Sequence, residues 1–577
     1  MPSTVQHIEK LIHQSRHFEA IESVKTALTR DPDNLRLKQL LALATSKSGS
    51  SLAAMKYFQP IYNDQPDDPE SSGIMGGIYK GLFRKTREPQ YGKLAADTYQ
   101  KNFELTGNYY TGINTATMMV LSGQAKKGRE IAIQVVTSLS SSADDGLWEM
   151  ATLAEAHLLL KDKPKAKEFY LKARKMAGND WGKINSIGNQ LWLLDHYIMV
   201  PRDILKLFEP PHVTAFAGHM IDHPSRQEPR FTPEMENAVQ LAIETTIRNQ
   251  NIQIGYCSLA CGADILFAEA MLSAGKDINV YLPFNINDFR ETSVSFAGHR
   301  WQERFEEILT KTRIHYVSTE RYNGDDFLFD FLSKVIMGAA VLRANTLNSI
   351  PNMFAVTSKY SLERKMGGTR DIIQSWPSKY SIFNIDIDPY RTTFPSSGNY
   401  YTHLKTDIRE VNGSERKPGF ILCTRWEGSD SHEILTQYGQ MWADEDTMLY
   451  SMDVSDNEIV QVFKTILGAV ESAAKLSELA RSICKEESRE NELKTGLHAG
   501  PVCLSNISEN RFPECFGDQI DLTKKMLNNS SAGVTAVTEQ FASILILSND
   551  KYTLEHAGIL EMEDNNVLNM YQLEFDP

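Results

Sequence analysis

The sequence predicts a multidomain chain: an all-α solenoid of helical repeats, an α/β domain with a parallel sheet, and an α+β domain. Three observations lead to this prediction. Helix-ending segments recur 34 residues apart, at Pro32 and Pro66. After Pro211, short apolar strands alternate with helices. Near the C-terminus, an apolar strand over 496–502 is followed by an amphipathic helix that begins after Gly517.

Length, charge and composition limit the kind of protein this is. A chain of 577 residues is too long for one core, and the predicted domains are 1–206, 207–389 and 418–577, with a linker over 390–417. The net charge of −14 argues against binding nucleic acid, whose phosphates attract Lys and Arg. No apolar run approaches the roughly 20 residues that span a bilayer, so we expect a cytoplasmic protein with no membrane partner. The six cysteines follow no metal-ligand spacing, so we expect no metal and no other cofactor.

The first third is predicted to form paired helices. Apolar residues recur at helical spacing from Phe18 to Leu28, and Asp31-Pro32 ends that helix. A second helix is predicted from Leu35 to Ser48, after which the pattern repeats. The 34-residue spacing is the tetratricopeptide period.

Segments 103–117 and 148–156 resemble the TRAF-binding domain, the tetratricopeptide-like regulatory region of apoptosis signal-regulating kinases and its bacterial relatives. This resemblance implies a concave scaffold that binds a protein partner. The alternative is that the aromatic side chains of these segments only fill the core between helices.

The middle of the chain is predicted to form a Rossmann-like parallel sheet. The apolar strands 213–217, 252–257 and 278–284 alternate with helical segments, as in such domains. Ligands of parallel sheets bind beyond the carboxyl ends of the strands, where small residues let backbone N–H groups approach a phosphate. The loops at 216–222, 258–264 and 365–371 therefore predict a phosphate or nucleotide pocket.

These loops resemble the SLOG superfamily, Rossmann-like domains that sense or process nucleotides and include the LOG phosphoribohydrolases. Asp264 has an alternative role in the first turn of a helix, where its charge suits the dipole. Two further interpretations are a SLOG-type nucleotide hydrolase and a purely structural domain. The predicted ligand-binding residues are Gly218, His219, Ser258, Gly262, Asp264, Gly367, Gly368 and Thr369.

The C-terminal segment resembles the homology domain of class III adenylate and guanylate cyclases, a ferredoxin-like α+β fold. The resemblance lies in the strands 420–428 and 496–502, the segment 513–526 and the segment 533–542. It implies two metal-binding aspartates, a base-reading residue, and an Asn and Arg four residues apart on a helix. This chain has Arg425, Asn457, Glu514, Asp521 and Lys525 at those positions.

These replacements predict a pseudoenzyme. Two-metal catalysis needs carboxylates that hold two divalent ions, and the guanidinium of Arg425 would repel them. A shift of one residue would place Asp456 rather than Asn457 at the second metal position. Asp521 and Lys525 alternatively form a simple i, i+4 ion pair on their helix. Mg²⁺ would be a cofactor only if the domain were active.

The pattern as a whole favours a cytosolic signalling or stress-response regulator that senses a nucleotide or a nucleotide-derived molecule. Its helical repeats would bind a protein partner, and its C-terminal domain would form a homodimer. The alternatives are an active divergent cyclase or SLOG-type hydrolase, and a scaffold without a ligand.

Overall fold

The structure is a computed structural model, and it describes residues 4–140, 146–226, 229–324, 326–358, 368–391, 414–427, 449–455, 457–486, 493–505, 515–528, 530, 532–548, 551–561 and 567–575. The chain forms two compact units, Met1–Pro210 and Pro211–Pro577. Among the described residues, no helix is both long enough and apolar enough to cross a membrane.

The first unit consists of helices, and the predicted helical repeats are confirmed. Short polar side chains begin several helices: the side chains of Asn34, Asp68, Asn108, Asp162 and Asp180 each accept a hydrogen bond from a backbone N–H of the first turn. The helices are α1 Thr4–His13, α2 His17–Leu28, α3 Leu35–Lys47, α4 Ser51–Asp64, α5 Pro69–Thr86, α6 Pro89–Thr106, α7 Tyr109–Leu121, α8 Ala125–Ser140, α9 Leu147–Leu159, α10 Lys163–Ala177, α11 Trp181–Asp195 and α12 Arg202–Leu207.

The second unit begins with a six-stranded parallel sheet, which confirms the predicted parallel sheet. The strand order is β4-β3-β2-β1-β5-β6, and we call residues 211–391 the parallel-sheet subdomain. Its elements are β1 His212–Gly218, α13 Glu236–Asn249, β2 Ile252–Cys257, α14 Ala263–Ser273, β3 Asp277–Leu282, α15 Ile286–Ser293, α16 His299–Lys311, β4 Ile314–Tyr316, α17 Phe327–Thr346, β5 Asn352–Thr357, α18 Thr369–Ser375 and β6 Ile382–Asp386.

A second, mixed sheet occupies residues 414–575, which we call the mixed-sheet subdomain. Its main strand order is β13-β14-β12-β10-β7-β9-β8, and β11 pairs with β10. Its elements are β7 Ser414–Trp426, β8 Leu449–Val454, β9 Glu458–Phe463, α19 Ile466–Glu486, β10 Leu493–Ser505, β11 Cys515–Phe516, α20 Asp518–Asn528, β12 Thr535–Thr538, α21 Glu539–Ser548, β13 Thr553–Glu561 and β14 Val567–Glu574.

The start of the mixed-sheet subdomain lies inside the predicted linker. Strand β7 begins at Ser414, because its residues pair with β10 from Ser414 to Trp426 without interruption. The rest of the predicted linker, 392–413, lies outside the described residues.

The two subdomains pack through helices α17 and α21. Gly338 lies at the crossing, where a Cβ atom would come within 2.0 Å of the backbone oxygen of Ser543 and 2.4 Å of its Cα. Only a residue without a side chain allows this approach of two backbones. Around the crossing, the Tyr281 hydroxyl donates a hydrogen bond to Glu539 over 3.1 Å, and the Gln540 amide donates one to the Tyr316 carbonyl over 3.2 Å.

We expect Gly338→Ala to destabilise the second unit by about 1–3 kcal/mol, the usual cost of inserting a methyl group into a packed core. The added methyl group would meet backbone atoms of Ser543, which cannot move aside as the end of a flexible side chain can. The melting temperature of the intact protein, measured by scanning calorimetry, tests this expectation.

Gly77→Ala is the matched control. Gly77 is also inside a helix, but its added Cβ would lie 3.6 Å from the Tyr99 hydroxyl, an ordinary contact. Because alanine favours a helix by about 1 kcal/mol over glycine, this variant should be unchanged or slightly more stable. Equal melting temperatures for the two variants would contradict the tight crossing.

Candidate functional site

The carboxyl ends of β1 and β5 meet at the point where the strand order of the parallel sheet reverses. Strand β1 pairs with β2 on one side and with β5 on the other. The backbone N–H of His219, just after β1, donates to the Val356 carbonyl over 3.2 Å. The Thr369 hydroxyl, at the start of α18, donates to the Gly218 carbonyl over 3.1 Å. Such a reversal point opens a crevice that ligands of parallel sheets occupy.

The loop after β2 joins this cluster. Its residue Gly262 forms a bridge with Met220, and its φ of +111° suits glycine. A Cβ at Gly262 would lie 2.4 Å from the backbone nitrogen of Ile221, and a Cβ at Gly218 would lie 2.3 Å from the Cβ of Ala263. These two glycines are therefore required for packing the loops against one another, whatever ligand the crevice holds.

Asp264 lies at the start of α14, with its carboxylate accepting a hydrogen bond from the Ala260 N–H over 3.3 Å. Burial raises the pKa of this carboxyl to about 7. Its position matches the alternative predicted for it, a role in the first helical turn. A negative charge here would repel a phosphate at the same helix end, so a phosphate would bind beside this turn rather than on it.

His219 carries the feature that most suggests a ligand. Its side chain is 4% exposed, its Nδ1 lies 3.3 Å from the Thr369 hydroxyl, and its Nε2 has no hydrogen-bond partner among the described residues. Burial, together with the charges of Arg230 and Arg226, lowers the pKa of His219 to about 3. The ring is therefore neutral at physiological pH, and it lies in a positive potential.

The structure thus brings together Gly218, His219, Gly262, Asp264 and Thr369. Ser258 directly follows β2 at the same sheet edge, and Gly368 caps α18. Gly367 lies outside the described residues. Neither Arg226 nor Arg230 is among the predicted ligand-binding residues, although both follow His219 closely in the sequence.

The two positions at which the cyclase resemblance implies metal-binding aspartates lie side by side at the end of the mixed sheet. Arg425 pairs with Glu458 across β7 and β9, and the Trp426 N–H donates to the Asn457 carbonyl over 3.0 Å. The structure thus brings Arg425 and Asn457 together at one end of the sheet. Asp456, the alternative position, and Glu514, at the base-reading position, lie outside the described residues.

A network of ion pairs occupies this sheet end. The Arg425 guanidinium donates to the Glu458 carboxylate over 2.6 Å through Nη2 and to the Asn528 amide oxygen over 2.6 Å through Nη1. The Lys524 ammonium lies 3.3 Å from the other oxygen of Glu458. Two cations therefore surround one carboxylate. In the part of the chain that is described, no group of three or more His, Cys, Asp or Glu side chains is arranged to hold a metal ion.

Asp521 and Lys525 lie at a site other than the end of the sheet where Arg425 and Glu458 meet. They line a cavity of about 490 Å³ between α20 and the segment 314–319 of the parallel-sheet subdomain. Behind them, the buried His498 bonds to the Thr538 hydroxyl and the Gln519 amide oxygen, each at 2.8 Å, and burial lowers its pKa to about 4. His498 is thus a satisfied core residue.

Glu539 lies between this cavity and a second one of about 490 Å³ at the same junction. Its carboxylate accepts hydrogen bonds from Asn569 over 2.8 Å and from Tyr281 over 3.1 Å. Burial nonetheless raises the pKa of Glu539 to about 7. The junction therefore contains a carboxyl group that is half protonated near neutral pH.

Polar side chains connect alternate helices of the first unit. The Lys80 ammonium on α5 donates to the Asn114 amide oxygen on α7 over 2.6 Å, and the Gln190 amide on α11 donates to Glu155 on α9 over 2.6 Å. Thr117 completes the series by donating to Glu155. Burial lowers the pKa of Lys80 to about 8 and raises that of Glu155. We call these five residues the polar ladder.

Comparisons with known proteins agree with two parts of this description. The family model Tetratricopeptide Repeats-Sensor matches residues 16–119, and the model Adenylate and Guanylate cyclase catalytic domain matches residues 452–575. The N-terminal region is therefore tetratricopeptide-like, and the mixed-sheet subdomain is a cyclase-homology domain. The resemblances to the TRAF-binding and SLOG families stay predictions.

Three solved structures each resemble part of the chain. The guanylyl cyclase Cya2 is 18% identical and covers 28% of this chain and 93% of its own, with a TM-score of 0.23. The adenylyl cyclase CyaB from P. aeruginosa is 12% identical over 28% of this chain and 97% of its own, with a TM-score of 0.25. A tetratricopeptide repeat protein of Thermus thermophilus is 17% identical over 33% of this chain and 97% of its own, with a TM-score of 0.28. A search of curated proteins gave no significant match.

Proposed function

We propose that this chain is a nucleotide-sensing signalling regulator whose cyclase-homology domain forms no cyclic nucleotide. Tetratricopeptide repeats joined to a cyclase-homology domain support a signalling or regulatory multidomain protein. The observation that carries the loss of catalysis is the Arg425–Glu458–Lys524 network. Two-metal cyclisation needs a site where carboxylates offset the charge of two divalent ions. In this network the single carboxylate, that of Glu458, already neutralises the charge of one of the two cations, Arg425 and Lys524.

The proposed nucleotide site is the crevice at the carboxyl ends of β1 and β5, in a Rossmann-like, SLOG-like domain. The neutral imidazole of His219 supports it, because a buried nitrogen without a partner is costly unless a ligand or water satisfies it. The charges of Arg226 and Arg230, which act on His219, suit a phosphate. The predicted pocket residues Gly218, Ser258, Gly262, Asp264, Gly367, Gly368 and Thr369 belong to this proposal.

A sensor must bind its ligand more tightly in one conformation than in another. In this proposal the bound nucleotide changes the affinity of the tetratricopeptide-like region for a protein partner. The polar ladder supports that role for the repeats, because its side chains join four alternate helices and bury charged groups, and such burial costs stability.

Self-association through the cyclase-homology domain also belongs to the proposal. Two apolar segments of the domain take part in its own fold. Strand Ile459–Phe463 pairs with β7 and β8, and the apolar side of α19 is buried within the domain. Sedimentation velocity of the intact protein at micromolar concentration should show a dimer. A monomer across that range would remove this part of the proposal.

We expect no cyclic AMP or cyclic GMP when the purified protein is incubated with ATP or GTP and Mg²⁺ or Mn²⁺. The double variant Arg425→Asp, Asn457→Asp should stay inactive, because Asp521 and Lys525 still replace the Asn and Arg that the cyclase resemblance implies. Mass spectrometry of the reaction products measures both. A metal-dependent cyclic product that disappears in Asp456→Asn would refute the proposed loss of catalysis.

We expect His219→Gln to weaken nucleotide binding at least tenfold, because the substitution removes the buried imidazole nitrogen from the crevice. Isothermal titration calorimetry with ATP, GTP and AMP measures the affinity. The matched control is His223→Gln, since His223 lies on the same loop but is exposed. Identical affinities for the two variants would mean that the ligand binds elsewhere.

A further inference from the structure

The second junction cavity lies at the opposite end of the parallel sheet from the crevice described above. Ile254 near the start of β2, Asp277 at the start of β3 and Arg313 just before β4 all line it. Strands β13 and β14 of the cyclase-homology domain contribute its other wall. The cavity, of about 490 Å³, lies within the usual size range of small-molecule sites.

Basic side chains predominate on the wall that the parallel-sheet subdomain provides. Lys276, Lys311, Arg313 and Arg343 line the cavity, against the two acidic residues Asp277 and Glu539. This is a local excess of positive charge in a chain whose net charge is −14. Such a concentration of cations attracts anions to a cavity.

Helix ends explain part of this basic charge. Helices α14, α16 and α17 end at the cavity, and the carboxyl end of a helix carries roughly half a negative charge that Lys or Arg offsets. Asp277 adds one negative charge, and Glu539 adds part of another. The four positive charges of the lining still exceed this sum, so a small excess of positive charge is left for a ligand.

Among the described residues, Arg343 is the basic residue of this cavity whose side chain has no bonding partner. It lies in the last turn of α17 and makes no hydrogen bond or close ion pair with any described residue. Burial raises the pKa of Asp277, and the charge of Arg343 offsets part of that rise. The other three cations are engaged: Lys276 donates to the Gln253 amide oxygen, Lys311 pairs with Glu307, and Arg313 has a partner as well. A guanidinium presents several donors in a plane that fits phosphate oxygens.

The opposite wall offers a different chemistry. The cyclase-homology domain contributes His556, Asn569 and Tyr571, two rings and an amide, to the same cavity. Rings and amides are groups on which a planar heterocycle can stack and form hydrogen bonds. A ligand that bridges both walls therefore needs an anionic part and a planar part.

We propose that this cavity binds a nucleoside phosphate between the two subdomains, with Arg343 as its main phosphate contact. The site is separate from the crevice at His219 and does not depend on the function proposed for that crevice. Because its walls come from both subdomains, a ligand here stabilises their contact. It stabilises the second unit by mass action as well.

The test compares Arg343→Gln with Arg248→Gln in the intact protein, with ADP as the probe. Both arginines lie in the last turn of a helix of the parallel-sheet subdomain, but only Arg343 lines the cavity. Titration calorimetry should show that Arg343→Gln loses at least tenfold in affinity for ADP at one site, and that Arg248→Gln binds like the wild type. His219→Gln should retain this site, which separates it from the crevice.

Hydrogen exchange measured by mass spectrometry provides a second readout. ADP should slow exchange in β13 and β14 and in the last turns of α17 in the wild type, and not in Arg343→Gln. Melting temperatures near that of the wild type would show that both arginine variants fold. Equal ADP affinity and equal protection in the two arginine variants would overturn the proposal. Loss of all ADP binding in His219→Gln would also overturn it and leave the crevice as the one nucleotide site.

Discussion

The crossing of α17 and α21 is the contact on which the second unit depends. Two backbones meet there because Gly338 has no side chain, and the contact joins segments some two hundred residues apart in the sequence. It fixes the cyclase-homology domain against the parallel sheet, and both junction cavities exist only because of that placement. Glu539 lies between them, buried and with its pKa raised to about 7, so its burial is least costly when it is protonated.

Strand pairing in the cyclase-homology domain determines which side chains meet at the end of its sheet. The strand pairing of β7 with β9 is kept in register, and it places position 425 opposite position 458 whatever side chains they carry. An acidic residue at position 425 would concentrate negative charge there and attract metal ions. Arg425 instead forms an ion pair with Glu458, which Lys524 also approaches, and donates a hydrogen bond to the Asn528 amide oxygen.

Local patterns predicted the helices, the parallel strands and the clustering of Gly218, His219 and Thr369, because periodicity and strand-to-loop transitions are local properties. The sequence also placed Arg425 and Asn457 together through the cyclase resemblance. It did not reveal Glu458 as the partner of Arg425, because cross-strand register depends on the whole sheet. It did not reveal the junction either, since nothing near Gly338 or Arg343 in the sequence indicates a partner helix two hundred residues away.

We propose that this cyclase frame holds ion pairs at the positions where the cyclase resemblance implies a metal pair. The most direct measurement is a crystal structure of the intact protein soaked with Mn²⁺ and a non-cyclisable ATP analogue, with manganese located by anomalous scattering. The account predicts no manganese at the end of β7, with Arg425 still paired to Glu458. Two manganese peaks about 3.5–4 Å apart beside Asn457, with Arg425 turned away, would contradict it.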